Sequence, residues 1–182
     1  MYIKNFFGHL KTVLKHKWYV FKLCVKAGIP YRGLVHDLSK FSPTEFFESV
    51  KYYNGKRSPI TFCKQDKGYS EAWLHHKGRN KHHYQYWFDE KANPKAPVMP
   101  YKYAVEMLCD TFAAGMTYQG KNWTNEYQLN YWKEKERPGE MLNSKMHKFL
   151  EIVYTEVAKD GIDKVINKKH LKEIYNNCIN GD

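Results

Sequence analysis

The residue types in this chain best suited to chemistry are imidazoles and carboxylates in a fixed order: His16, then His36-Asp37, then His82-His83, then Asp110. Neutral imidazole nitrogens and carboxylate oxygens are the ligands that borderline divalent metals accept, and an adjacent His-Asp pair lets one short stretch supply two of them. The order is that of a metal site assembled from several segments. Lys40 follows Asp37 by three positions and His36 by four. On a helix, that spacing turns an imidazole, a carboxylate and an ammonium toward one cavity. The plainer alternative is an intrahelical Asp37–Lys40 ion pair beside a packed His36.

Asp110 strengthens the metal reading. It lies in Glu106-Met107-Leu108-Cys109-Asp110, within an apolar helical pattern where an uncompensated carboxylate is costly, so a cationic partner is expected. On a helix, His82 and His83 would point about 100° apart, which leaves one of them to bind and the other to serve substrate or support. The first histidine is open as well, since His9 and His16 are seven residues apart and share a helix face.

These residues must be carried by helices. Apolar positions from Phe6 to Cys24 recur with helical period, and Gly28 and Pro30 end that run. A second helix is expected from Tyr31 into the His36-Asp37 pair. Ser42-Pro43-Thr44-Glu45 reads as a new start, with Ser42 as N-cap, Pro43 at the first helical position and Glu45 at the third. Gly55 to Tyr69 reads as a loop over the site. Glu71 to His76 suggests a short helix broken by Gly78, and Asn80 is expected to cap another that runs through Glu90. A connector with three prolines, Ala92 to Pro100, precedes a core helix from Tyr101 to about Tyr118. Trp123 to Glu136, Ser144 to Lys159 and Asp163 to Asn177 complete an all-α chain with no competing strand pattern.

At 182 residues, one domain with a real core is expected. Thirty Lys+Arg against nineteen Asp+Glu give a net charge of +11, which attracts anions such as nucleotides, nucleic acid or acidic surfaces. Most of that charge is lysine spread along the chain, so a diffuse solvated surface is the competing reading. Cys24, Cys63, Cys109 and Cys178 form no C-x-x-C pair, which argues against a thiolate site or a disulfide framework and for free thiols in a reducing cytoplasm. Lysines interrupt the apolar residues of the first 25 positions, so neither a signal-peptide core nor a membrane span is expected, and no membrane partner.

The ordered set His16, His36-Asp37, His82-His83 and Asp110 resembles the HD-domain superfamily, all-helical metal-dependent phosphohydrolases. His36-Asp37-Leu38-Ser39-Lys40 is similar to the His-Asp-x-x-Lys version of the motif in the HD-GYP phosphodiesterases. The Ser39-to-Pro43 run and Asn80-x-His82-His83-x-x-Tyr86-Trp87 look like those of small bacterial and phage proteins of the superfamily. The resemblance covers residues 9–116 and leaves a C-terminal helical extension, about 122–180, outside it. No Gly-Tyr-Pro motif is present, so cyclic dinucleotide specificity is not implied.

The resemblance implies one or two divalent ions (Mn, Co, Zn, Mg or Fe). A mononuclear site would use His16, His36, Asp37 and Asp110. If His75 or His76 adds a ligand, then His16, His36, Asp37, His76, His83 and Asp110 form a dinuclear site bridged by Asp37. The expected activity is hydrolysis of a phosphate ester, a nucleotide or related metabolite, by metal-activated water, with Lys40 and Arg79 neutralising the phosphate. Tyr86 and Trp87 beside the site are candidates to stack on a base, though aromatic residues at such spacing commonly serve a core. Glu45 is a candidate stand-in for the glutamate that positions water in some nucleotidase relatives. Two rivals stand beside this reading: a di-iron oxygenase on the same ligand set, and a non-catalytic basic protein that binds nucleic acid or a partner.

Overall fold

The computed structural model describes residues 2–135 and 138–181. Among them are helices and no strand, so the all-α expectation holds. The organising pair is α1 (Tyr2–Lys26) and α6 (Tyr101–Gln119), which pack along each other. One stripe of α1 is buried: His9, Val13, His16 and Val20 follow at steps of three or four, and Leu23 and Cys24 lie three and four positions beyond Val20, the spacing that keeps residues on one helical face. Two histidines thus belong to the same face as the apolar core. α6 is buried on several sides, through Ala104, Val105, Glu106, Leu108, Cys109 and Phe112, because other helices cover it from both flanks.

α2 (Pro30–Val35) lies across α1, and α3 (Pro43–Lys51) packs on α1, on α4 (Pro59–Lys67) and on α5 (Glu71–Arg79). Ser42 caps α3 as expected, its hydroxyl accepting from Glu45 N. α5 is anchored to α3 by Glu48, whose carboxylate accepts from Ser70 Oγ at 2.5 Å and from the Glu71 and Ala72 amides at 3.2 and 3.1 Å. An anion at a helix N-terminus satisfies amides that have no partner within the helix. The far side of α6 meets α7 (Tyr127–Glu134), and α8 (Ser144–Asp160) packs with α7, α9 (Ile162–Val165) and α10 (Lys168–Asn180). Met146, Phe149, Leu150, Val153, Leu171 and Cys178 from this half share one core with Val20 and Leu23 of α1. All four cysteines are free and buried. No described helix is long and apolar enough to cross a membrane.

Five expectations are corrected. The helix entering the His36-Asp37 pair stops at Val35, since His36 is extended (φ −54°, ψ 129°) and Asp37 is left-handed (φ 53°, ψ 32°). Residues 59–67, inside the stretch read as a loop, form α4; only Pro59 and Cys63 of it are buried, too few for a sustained apolar period. Gly78 does not break α5, which runs to Arg79. Asn80 starts no α-helix: it is extended, His83 is extended too, and only a 3-10 turn over Tyr84–Trp87 follows. The Asn80 amide is occupied elsewhere, donating to Ser39 Oγ and to the His76 carbonyl, both at 2.8 Å. Of the helix expected over 123–136, the structure has 127–134 as α7, and Glu136 lies outside the described residues.

The α1–α2 contact depends on Gly33. A Cβ there would lie 2.7 Å from Cys24 Cβ and 2.9 Å from Phe21 Cα, whereas one at Gly78 in α5 would meet nothing within 4 Å. Gly33→Ala is expected to destabilise the protein by about 1–3 kcal/mol through overpacking. Gly78→Ala is expected to stabilise it by roughly 0.5–1 kcal/mol through helix propensity. Urea midpoints of the two variants check the contrast, and a neutral Gly33→Ala would show that α2 can shift away from α1.

Candidate metal centre

Asp37 is the hub. Its side chain is fully buried, and its left-handed backbone, tolerated by aspartate better than by most residues, lets the chain leave α2 and turn at once into the 3-10 segment Leu38–Phe41. The two carboxylate oxygens face different groups. Oδ2 lies 3.2 Å from His36 Nε2 and 4.0 Å from His16 Nε2, while Oδ1 lies 3.3 Å from both His76 Nε2 and His82 Nε2. Asp110, on α6, completes the first group: its Oδ1 is 2.9 Å from His16 Nε2 and 3.4 Å from His36 Nε2.

Three sets of described residues could therefore hold a metal ion, each with candidate ligand atoms within 4.8 Å of one another: His16, His36, Asp37 and Asp110; Asp37, His76, His82 and His83; and, behind these, His36, His82 and Glu106. The fit to a cation is chemical as well as geometric. The Nε2 atoms of His16, His36, His82 and His83 are buried without an aligned hydrogen bond among the described residues. Buried nitrogens facing carboxylates without a hydrogen bond are unfavourable unless a proton or a metal lies between them. Electrostatics point the same way. Burial alone would raise the Asp37 and Asp110 pKa values, yet the surrounding imidazoles, with Lys40 at Asp37, hold both carboxyls well below their ordinary range.

Carboxylates also hold the outer edges of the imidazoles. Glu106 Oε1 is 3.1 Å from His36 Nδ1 and 3.3 Å from His82 Nδ1, and its Oε2 accepts from Arg32 Nε at 2.6 Å. Burial would raise the Glu106 pKa, but these hydrogen bonds bring it down to about 2. Glu45 Oε2 is 2.7 Å from His76 Nδ1, and its Oε1 is 2.6 Å from His75 Nδ1. A proton on Nδ1, directed at a carboxylate, leaves the Nε2 lone pair for a metal, the usual arrangement around ligating histidines.

Every expected ligand is thus drawn together: His16, His36, Asp37, His76, His83 and Asp110. The histidines left open are placed differently. His16 joins the centre, whereas His9 packs against Phe46 and Tyr53. His76 faces Asp37, whereas His75 stands behind Glu45. His82 belongs with His83, although only His83 was expected as a ligand; His82 is fully buried, and its ring contacts those of His36 and His83. Lys40 Nζ is 2.7 Å from Asp37 Oδ2, an ion pair carried by a 3-10 turn and not by the expected helix. Arg79 is placed differently: its exposed side chain donates from Nε to His75 Nε2 at 2.7 Å. Trp87 packs against Tyr103 and donates to the Lys81 carbonyl, which pins the segment that carries His82.

Glu106 and Arg32 are the residues that sequence reading passes over. Glu106 precedes Asp110 by four positions, so the helical face that carries the expected ligand also carries Glu106. That spacing was the available signal. Nothing in the sequence links Arg32 to Glu106.

The chain belongs to the family described as a family of unknown function, DUF5662, whose model matches residues 5–156. That span contains the candidate ligand sets and their supporting carboxylates. No curated protein and no solved structure matches the chain.

If the centre binds metal, Mn(II) supplied to chelator-treated protein at about 100 times its Kd should add roughly 2.7 kcal/mol of stability, a Tm rise of about 5–10 °C. Thermal scans with and without chelator check this, and an unchanged Tm counts against a metal here. His9 gives a separate pH signature. Burial, then Lys40, lowers its pKa from 6.5 to about 4, so between those values the unfolded chain binds the proton and stability falls as pH falls. His9→Leu should flatten that part of the urea-midpoint profile between pH 6.5 and 4. A variant that follows the wild-type slope would remove His9 as its source.

Proposed function

We propose, for this member of the family, that the centre is the active site of an HD-type metal-dependent phosphohydrolase acting on a phosphate ester such as a nucleotide or a related phosphorylated metabolite. The observation that carries the reading is Asp37 buried between two imidazole groups, one oxygen toward each, with the Lys40 ammonium on it. His16, His36, Asp37 and Asp110 would hold one divalent ion, and Asp37, His76 and His82 with His83 a second, drawn from Mn, Co, Zn, Mg or Fe. Bound metal supplies a water acidic enough to ionise near neutral pH and a positive charge beside the phosphoryl oxygens.

The chain's own residues do the rest. Glu106 and Glu45 hold His36, His82 and His76 with Nε2 inward. Lys40 is partly exposed, and although burial disfavours its charge, Asp37 and Asp110 hold its pKa above the ordinary value, so it stays cationic at any working pH. It is the cation placed to meet a phosphate oxygen at the centre. Arg79 acts one step further out, through His75. The net charge of +11 favours capture of an anionic substrate. An oxidative di-iron centre would use the same ligands, and a basic nucleic-acid binder could keep them for structure alone.

Metal analysis of the purified protein, followed by a phosphate-release screen over nucleotides and aryl phosphates, tests the reading. Asp37→Asn keeps a residue that tolerates the left-handed backbone, so it should lose metal and turnover while helical circular dichroism persists. Lys40→Ala should keep its metal and lose about two to three orders of magnitude in kcat. Full turnover in Asp37→Asn, or unchanged kinetics in Lys40→Ala, would remove that residue from the mechanism. Iron with oxygen uptake would move the assignment to oxidation. Salt-sensitive nucleic-acid affinity that survives Asp37→Asn would move it to binding.

A further inference from the structure

Glu106 stands out among the buried groups because it is the carboxylate that reaches both ligand sets from behind. His36 belongs to the set with His16 and Asp110, and His82 to the set with His76 and His83. Their rings lie 4.5 Å apart between centroids, tilted by 39°. On the inner edge, Asp37 takes one ring at each oxygen. On the outer edge, the single oxygen Oε1 of Glu106 faces both Nδ1 atoms: it is hydrogen-bonded to His36 at 3.1 Å and lies 3.3 Å from His82, where the two atoms are in reach but not aligned. A carboxylate oxygen has two lone pairs, so one atom can accept from both rings. Arg32 holds the remaining oxygen at 2.6 Å, which fixes the rotation of the carboxylate. Glu106 itself is wholly buried, so no solvent can replace it.

Glu45 provides the internal contrast. It also accepts from two imidazoles, but only His76 belongs to a ligand set, since His75 lies behind it and pairs with Arg79. We propose that Glu106 is a positioning residue common to both metal-binding sets: it fixes His36 and His82 in the same Nδ1-protonated form, so the two ions depend on one carboxylate for the orientation of a ligand each. Glu45 by comparison serves the His76 set alone. The inference rests on the two-metal reading above and concerns only the chain's own residues. Loss of a carboxylate behind a ligating histidine typically costs 10–100-fold in metal affinity, and here that loss falls on two ions together.

The test is a Mn(II) titration of the full-length, chelator-treated protein, followed by calorimetry and by the spin-resonance signal of free Mn(II), with no substrate present. In wild-type protein two ions should bind per chain. Glu106→Gln should weaken both binding events by about 10–100-fold, while Glu45→Gln should weaken one. Arg32→Gln leaves the Glu106 carboxylate in place but frees its rotation, and should weaken both events in the same direction by a smaller factor. It also serves if Glu106→Gln fails to fold. Two wild-type events with one or neither affected by Glu106→Gln, or by Arg32→Gln if that variant alone folds, would overturn this inference alone. Wild-type protein that binds fewer than two ions of Mn(II), Co(II) or Zn(II) per chain would overturn it together with the two-metal reading beneath it.

Discussion

The structure depends on one buried carboxylate that has to be satisfied from two sides. Asp37 is cut off from water, and an isolated charge in that position would be prohibitive. It is tolerated because four imidazoles and an ammonium converge on its two oxygens. Each comes from a different part of the chain: α1, the end of α2, the 3-10 turn, α5 and the segment before the Tyr84–Trp87 turn. The first half of the fold can be understood as the set of contacts that brings those parts to one point.

That convergence explains features that would otherwise look unrelated. α2 is short because the chain must leave it before Asp37 for the carboxylate to reach the centre. α5 is fixed at its N-terminus by Glu48, which sets where His76 falls six positions after the Ser70 cap. The 80–83 segment is a turn closed by His83 N on the Asn80 carbonyl and pinned by Asn80, Ser39 and the Trp87 indole, so that His82 can enter the interior. A helix there would have pointed the two rings about 100° apart.

Such a cluster of polar groups contributes little apolar burial of its own, and α6 joins it to the part of the molecule that does. One face of that helix presents Glu106 and Asp110 to the centre, while Leu108, Phe112 and Ala113 pack into the core shared with α8 and α10. The C-terminal helices therefore support the site mechanically without contributing a ligand among the described residues. The same division explains why the candidate ligands end at Asp110 while the hydrophobic core continues well beyond it.

The all-α class, the Ser42 cap and most helices could be read from periodicity and capping chemistry, because these are local properties of ten to twenty residues. The ligand types and their order were readable too: histidines and an aspartate in apolar helical stretches are conspicuous when the cost of burying them is considered. Positions 59–67 and 80–90 are not legible in the local pattern, because a helix with two buried residues has almost no period, and because the Asn80 side chain is held by Ser39 and the His76 carbonyl instead of capping a helix. Whether His9 or His16, His75 or His76, and His82 or His83 faces the metal-capable cluster depends on a rotation about a helix axis or on the course of a turn. Neighbouring helices fix that rotation, and composition does not. Glu106 is the clearest case: the sequence places it one turn from Asp110, but only the packing of α2 and the 80–83 segment against α6 turns it from a buried liability into the partner of Arg32, His36 and His82.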